Sequence, residues 1–229
     1  MYINNLRSGG IARETLEKSV ENLQVENSLL DGISAKNAVW KSVSIKDCNA
    51  PGMLCSGTVI ESSSFCRSNM QEASFLGCAI SGSEYNGTTL IKASFEKCRI
   101  RLLKVVVSTM QRASLKRCVV EDSVFRDFEG IYSTVEDCVF RNCSFELTSG
   151  QFMNGFAEAK VRNSIFIGCS FVGYPLRGAC VSSCVFAGCS GEISDTDDFT
   201  DTVGFGRTKA AEKSMDEKEK AEAFISRWR

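Results

Sequence analysis

Apolar residues recur along this chain at a fixed step of five. From Val20 through Val25, Leu30, Ala35 and Trp40 to Phe145, 25 of 26 such positions are apolar, in a chain whose hydrophobic content is 43%. The position two residues before each centre is restricted to Ala, Ser, Thr or Cys from Thr58 to Cys143, except at Leu103 and Phe128. A helix repeats at 3.6 residues and a strand at 2, so neither produces this step. It follows if each pentapeptide is one side of a polygon, with the centre and the small residue inward and the other three outward. A second period of 20 sets the number of sides at four: Ala73-Ser-Phe-Leu-Gly-Cys78 is echoed by Ala93-Ser-Phe-Glu-Lys-Cys98 and Ala113-Ser-Leu-Lys-Arg-Cys118. The pattern therefore predicts a four-sided parallel β-helix of eight to nine coils, stacked ~4.8 Å apart.

The lattice breaks once. After Phe145 it resumes one residue late, at Phe156, Val161, Phe166, Phe171, Leu176, Val181 and Phe186. One extra residue is expected near Gly150 or Gly155, as a bulge or widened turn. Open solenoid ends need covering, and residues 1–17 are the expected N-terminal cap before a repeat region at 18–191, irregular over 146–155. Residues 192–213 read as an acidic, Thr-rich linker. Ser214-Met-Asp-Glu217 has the form of a capping box that opens a short α-helix over 214–229. On that helix Ala221, Phe224, Ile225 and Trp228 share one face, a docking face for the end of the rod or for a second subunit in a homodimer.

The triplets Ala73-Ser74-Phe75 and Cys143-Ser144-Phe145 carry a resemblance to the pentapeptide-repeat family over roughly residues 18–191. That resemblance implies a right-handed quadrilateral β-helix. The preference for Ser or Cys over Ala-Asp/Asn, and for Phe, Val or Ile over Leu, is similar to the divergent β-helical repeats of some bacterial type III effectors. Some such effectors carry a separate ubiquitin-ligase lobe, and the stretch after Gly191 is too short for one.

Charge and cysteine refine the picture. The chain has no histidine and a formal net charge of −1, which removes the commonest general base and metal ligand and argues against nucleic acid as a partner. No cofactor or metal site is expected. The N-terminal ten residues have no signal-like apolar core and no run reaches membrane-span length, so the expected location is the cytosol, or outside by a route without a cleaved signal, including into a host cell. Nine of twelve cysteines fall at the small inward position, where free Cys acts as a small buried hydrophobe; Cys66 and Cys180 fall in outward slots.

Basic residues concentrate in one band: Lys92, Lys97, Arg99, Arg101, Lys104, Arg112, Lys116 and Arg117 against a single Glu96. The period of 20 places Arg101 beside Glu121, Lys116 beside Glu136 and Arg117 beside Asp137, whereas Lys92 and Arg112 stack on one another without an acidic neighbour. The band is thus the candidate surface for an acidic protein partner. Three function classes follow: a non-enzymatic interaction or scaffold module, including an effector acting on host proteins; a topoisomerase-binding DNA mimic, implied by the family resemblance; and a β-helix polysaccharide lyase or hydrolase. The second wants rows of carboxylates, yet residues 18–191 hold 18 Lys+Arg against 16 Asp+Glu. The third wants clustered carboxylates, and Asp122, Asp127 and Asp137 fall on different sides or coils. The interaction module is favoured.

Overall fold

The computed structural model describes residues 1–4, 14–149, 154–194, 199–202 and 204. Phe224, Ile225 and Trp228, with the whole of the helix expected over 214–229, lie outside the described residues. Each pentapeptide contributes one short strand or bridge, and equivalent sides stack in parallel. Side 1 runs from Val20–Glu21 to Val185–Ala187 and side 2 from Tyr2–Asn4 to Ser190–Gly191. Side 4 runs from Ser34–Lys36 to Phe199–Thr200. Sides 1 and 4 are nine strands deep and side 2 is ten. Side 3 is reduced to single bridges, Leu29↔Asn49↔Asn69↔Thr89↔Thr109↔Glu129↔Gly155. The reason is local: on that side the carbonyl of the centre residue closes a tight turn three residues on, as Met70 O accepts from Ala73 N–H at 3.1 Å, leaving no room for a longer strand. The architecture is the quadrilateral β-helix that the lattice predicts.

Register follows the period of 20 in every regular coil, with Phe75 opposite Phe95 and Ile80 opposite Ile100. Backbone bonds run along the axis, for example Ser94 N–H to Ala73 O at 2.8 Å. The centres are buried and stack face to face at the coil spacing: Phe75 and Phe95 have ring centroids 4.7 Å apart and Phe166 and Phe186 the same. Each such pair adds ~0.5–1.5 kcal/mol to the area it buries.

The small position does more than fit. Its Ser, Thr and Cys side chains donate to carbonyls of the coil below, as Thr88 Oγ1 does to Phe65 O at 2.7 Å and Cys98 Sγ to Phe75 O at 3.2 Å. Inward polarity is therefore absorbed by the backbone. The corners carry a third lattice: every fifth residue from Asn22 to Asn142 has positive φ. Leu102 and Val107 hold φ of 53° and 46° there, a conformation that costs an L residue ~1–2 kcal/mol.

The two lattice exceptions at Phe128 and Gly130 compensate one another. Phe128, at a small position, is fully buried and meets Phe156 edge-on at 4.9 Å. Gly130, at a centre, makes the space; a Cβ there would lie 2.9 Å from Phe156 Cδ1.

Two boundaries differ from expectation. The break after Phe145 contains six extra residues, not one: Thr134 pairs with Lys160 and Ser144 with Ser170, an offset of 26. A count modulo five cannot see a whole added side. Asp127 holds the start of the insertion, accepting from Thr148 N–H at 2.7 Å, Ser149 N–H at 3.0 Å and Thr148 Oγ1 at 3.0 Å. Burial pushes the Asp127 carboxyl up, but these donors outweigh it and hold it below its usual range. The stretch expected as a linker also continues the solenoid, since Ile193 is buried and Phe199–Thr200 pairs with Cys180–Ser182 at an offset of 18. At the other end, Tyr2–Asn4 pairs with Gln24–Glu26, and Leu16, fully buried, accepts a bond from Trp40 Nε1 at 2.9 Å.

Candidate functional site

The band of eight basic residues does not form one surface. Lys92 and Arg112 sit at the corner between sides 3 and 4, Lys104 on side 2 and Lys116 on side 4. The other four converge: Arg99 and Arg101 point outward from one strand of side 1, and Lys97 and Arg117 stand at the corner that leads into it. Together with Arg141, two coils further along the Arg101 column, they line an open cleft of about 1030 Å³ on the outer face of side 1. Arg141 lies outside the sequence-predicted band, although the period of 20 aligns it with Arg101.

Ala79, Val119 and Val139 floor the cleft, and Glu121 and Asp137 are the two carboxylates that line it among the described residues. Five cations against two acids make its described lining basic. Arg117 reaches Asp137 at 3.9 Å, Arg141 reaches Glu121 at 4.0 Å and Lys97 reaches Glu96 at 3.9 Å. These are long contacts between side chains that are 24–57% exposed, each worth ~0–1 kcal/mol. Arg99 has no carboxylate within ion-pair distance among the described residues.

Two expected pairings are corrected. Arg101 faces Glu121 in register but pairs with Asp122 at 3.4 Å, while Glu121 is taken by Arg141. Side chains at a corner and at the end of the preceding strand project into the same space, so the neighbour 21 residues on competes with the one at 20. Lys92 is not without relief: it pairs with Glu72, one coil back, at 3.1 Å. Lys116 pairs with Glu136 at 3.3 Å as expected.

The inward cysteines are free, and burial together with neighbouring thiols raises most of them. Cys98 and Cys118 are pushed up to about 12, first by bonding to the next thiol of the ladder, and Cys184 to about 11 by burial. Such thiols are neither nucleophiles nor metal ligands at neutral pH. Cys180 is exposed and Cys66 half-buried, on sides 4 and 2. Among the described residues no group of three or more His, Cys, Asp or Glu could hold a metal ion, and no helix is long and apolar enough to cross a membrane. Asp122, Asp127 and Asp137 are engaged separately, by Arg101, by Thr148 and Ser149, and by Arg117.

No protein-family model and no curated protein sequence matches the chain. Solved structures do. A trypsin-treated form of QnrB1, a plasmid-mediated fluoroquinolone resistance protein, aligns with a TM-score of 0.53 at 12% identity, over 86% of this chain and 89% of that one. HetL, a pentapeptide-repeat protein involved in heterocyst differentiation in the cyanobacterium Nostoc, aligns over 85% and 94% at 13% identity and a TM-score of 0.40. At 12% identity the first of these likenesses speaks for the fold and not for the activity, and it agrees with the four stacked sides. The chain has the fold of the pentapeptide-repeat proteins.

Proposed function

We propose that this protein is a non-enzymatic binding module whose side 1 cleft docks an acidic segment of a protein partner. The observation that supports it is the convergence of Lys97, Arg99, Arg101, Arg117 and Arg141 on one apolar-floored surface, with Arg99 lacking a counter-charge among the described residues. Lys97 and Arg117 stand one coil apart, ~4.8 Å, and Arg101 and Arg141 two coils apart, spacings that side chains of an extended peptide can meet. Val119 offers contact to an apolar residue between the acids. Glu121 and Asp137, set among the cations, repel a continuous phosphate backbone but leave room for spaced carboxylates. A topoisomerase-binding DNA mimic would need the opposite sign of charge on this face.

The cations are exposed, so recognition acts mainly through encounter rate and salt dependence. The test is selection of a displayed random peptide library on the full chain and on R99E/R101E. Acidic sequences with interspersed apolar residues should be enriched on the unaltered protein at low salt and lost on the variant. Equal enrichment on both, or no acidic bias, overturns the proposal.

A further inference from the structure

Each strand points one residue inward and its neighbours outward, and outward positions keep solvent contact almost everywhere. Among the described strands three outward residues are buried: Val139 at 6% exposure, Ile165 at 3% and Ala187 at 7%. All three belong to side 1 and to successive coils, since Val139 pairs with Ile165 and Ile167 with Ala187. Ladder neighbours shield the flanks of an outward side chain but not its tip; Val39, in the column of Val139 and Ile165 near the N-terminal end, is 41% exposed. The stripe over the last coils is therefore an outer surface that is covered.

We infer that residues 214–229 of this same chain lie lengthwise on this stripe, with Phe224, Ile225 and Trp228 packed against it. Three observations point to that occupant. The last described residue, Gly204, stacks directly on the backbone of Phe186, the centre of the final side 1 strand. The remaining chain thus departs from the end of this side and no other. Its length fits: residues 205–213 can span up to ~30 Å, and a 16-residue helix is ~24 Å long. Each exceeds the ~19 Å from the Val185 strand back to the Arg99 strand, four coil steps away. The segment can therefore run out along side 1 and return over it.

Its chemistry fits in that direction too. With Ile225 over Ile165, Glu217 lies ~12 Å further along the helix, between two and three coils away, beside the Val119 and Arg99 strands. Three carboxylates at its start (Asp216, Glu217, Glu219), interleaved with Lys218 and Lys220, then come beside the arginines, and its apolar end meets the apolar stripe. This is a flank contact, distinct from covering the end of the rod or joining two chains. It stands without the partner reading; only the corollary, that the segment competes with an acidic partner for the cleft, rests on that reading.

The chain's two tryptophans make the test direct. Trp40 is fully buried, so acrylamide quenching in the full-length protein reports on Trp228. The expected result is that neither tryptophan is readily quenched in a species of monomer mass by sedimentation. V139E/I165E should then render Trp228 quenchable with an unchanged circular dichroism spectrum. F224D/I225D, which lies outside the repeat lattice, should do the same and covers the case in which the first variant fails to fold. A Trp228 already quenchable in the unaltered chain overturns the inference, as does protection that survives folded variants. Protection that appears only at dimer mass and fades on dilution assigns the stripe to a second copy instead. None of these readouts involves an acidic ligand, so a failed peptide selection leaves them standing.

Discussion

Tyr85 offers a quantitative check on how the interior is built. It occupies a centre position, fully buried, stacked on Phe65 with ring centroids 4.8 Å apart and planes 11° from parallel. Its hydroxyl is buried without a hydrogen-bond partner. Burial, with Cys55, Cys78 and Cys98 nearby, pushes the phenol well above its ordinary value, so it stays neutral. A gap of about 10 Å³ beside it is at the lower limit of what one water needs. An unsatisfied buried hydroxyl costs ~1–3 kcal/mol. Tyr85→Phe removes that cost and keeps the stack. Losing one oxygen enlarges the gap by roughly 15–20 Å³, which at ~24 cal/mol per Å³ returns only ~0.4–0.5 kcal/mol. The net expectation is a gain of about 1 kcal/mol, or ~2–4 °C in Tm for a chain of this size. Urea unfolding with an unchanged m-value measures it. A loss of stability on substitution would mean that the hydroxyl is satisfied, by a thiol of the cysteine ladder, and would refute the reasoning.

Three further outcomes follow from the same geometry. Gly130→Ala forces a Cβ to 2.9 Å from Phe156 Cδ1 and 3.0 Å from Gly155 O, and should destabilise by ~1–3 kcal/mol in denaturant melts; a neutral result would show that the Phe128 and Gly130 exchange is not a packing compensation. At pH 8, Cys66 and Cys180 should alkylate rapidly while Cys98, Cys118 and Cys184, raised to about 12, 12 and 11, react only as fast as the chain opens; Cys98 labelling as fast as Cys66 would contradict the inward assignment. The Asp127 carboxyl is depressed in the fold, so its contribution is present above the unfolded value of ~3.9 and is lost as pH falls through the folded one. Asp127→Asn should therefore flatten the stability curve below about pH 4, and an unchanged acid slope would remove Asp127 as the anchor of the insertion.

The repeating interior was legible because two periodicities, of five and of twenty, each dictate burial. Val25, Phe75 and Phe186 could be placed inward from spacing alone, and so could the small residues. What escaped was whatever a modular count cannot see. The insertion after Ser149 adds a whole side plus one residue, and only the extra one disturbs the step of five. Phe199–Thr200 continues the solenoid at an offset of 18, outside the lattice that defined its end. The site was legible in part. Arg99, Arg101 and Arg117 came from a run of basic residues along the chain, but a run of 26 residues wraps more than once round a four-sided rod and spreads over several sides. Stacking by 20 sorts the run correctly, adding Arg141 and releasing Lys104 and Lys116. Pairing by 20 is less secure at corners, as Arg101 with Asp122 demonstrates, and a search forward only misses partners such as Glu72 for Lys92.

The central claim is that side 1, and not another side, receives an acidic segment. Ser81→Cys introduces a thiol on the cleft wall, while the native Cys66 and Cys180 lie on the flanking sides 2 and 4. Alkylation rates at the three positions, with and without a saturating selected peptide at low salt, locate the contact within one protein. The account predicts that the peptide slows labelling of the cysteine at position 81 and leaves Cys66 and Cys180 unchanged. Slowed labelling of Cys66 or Cys180 with position 81 unaffected would contradict it.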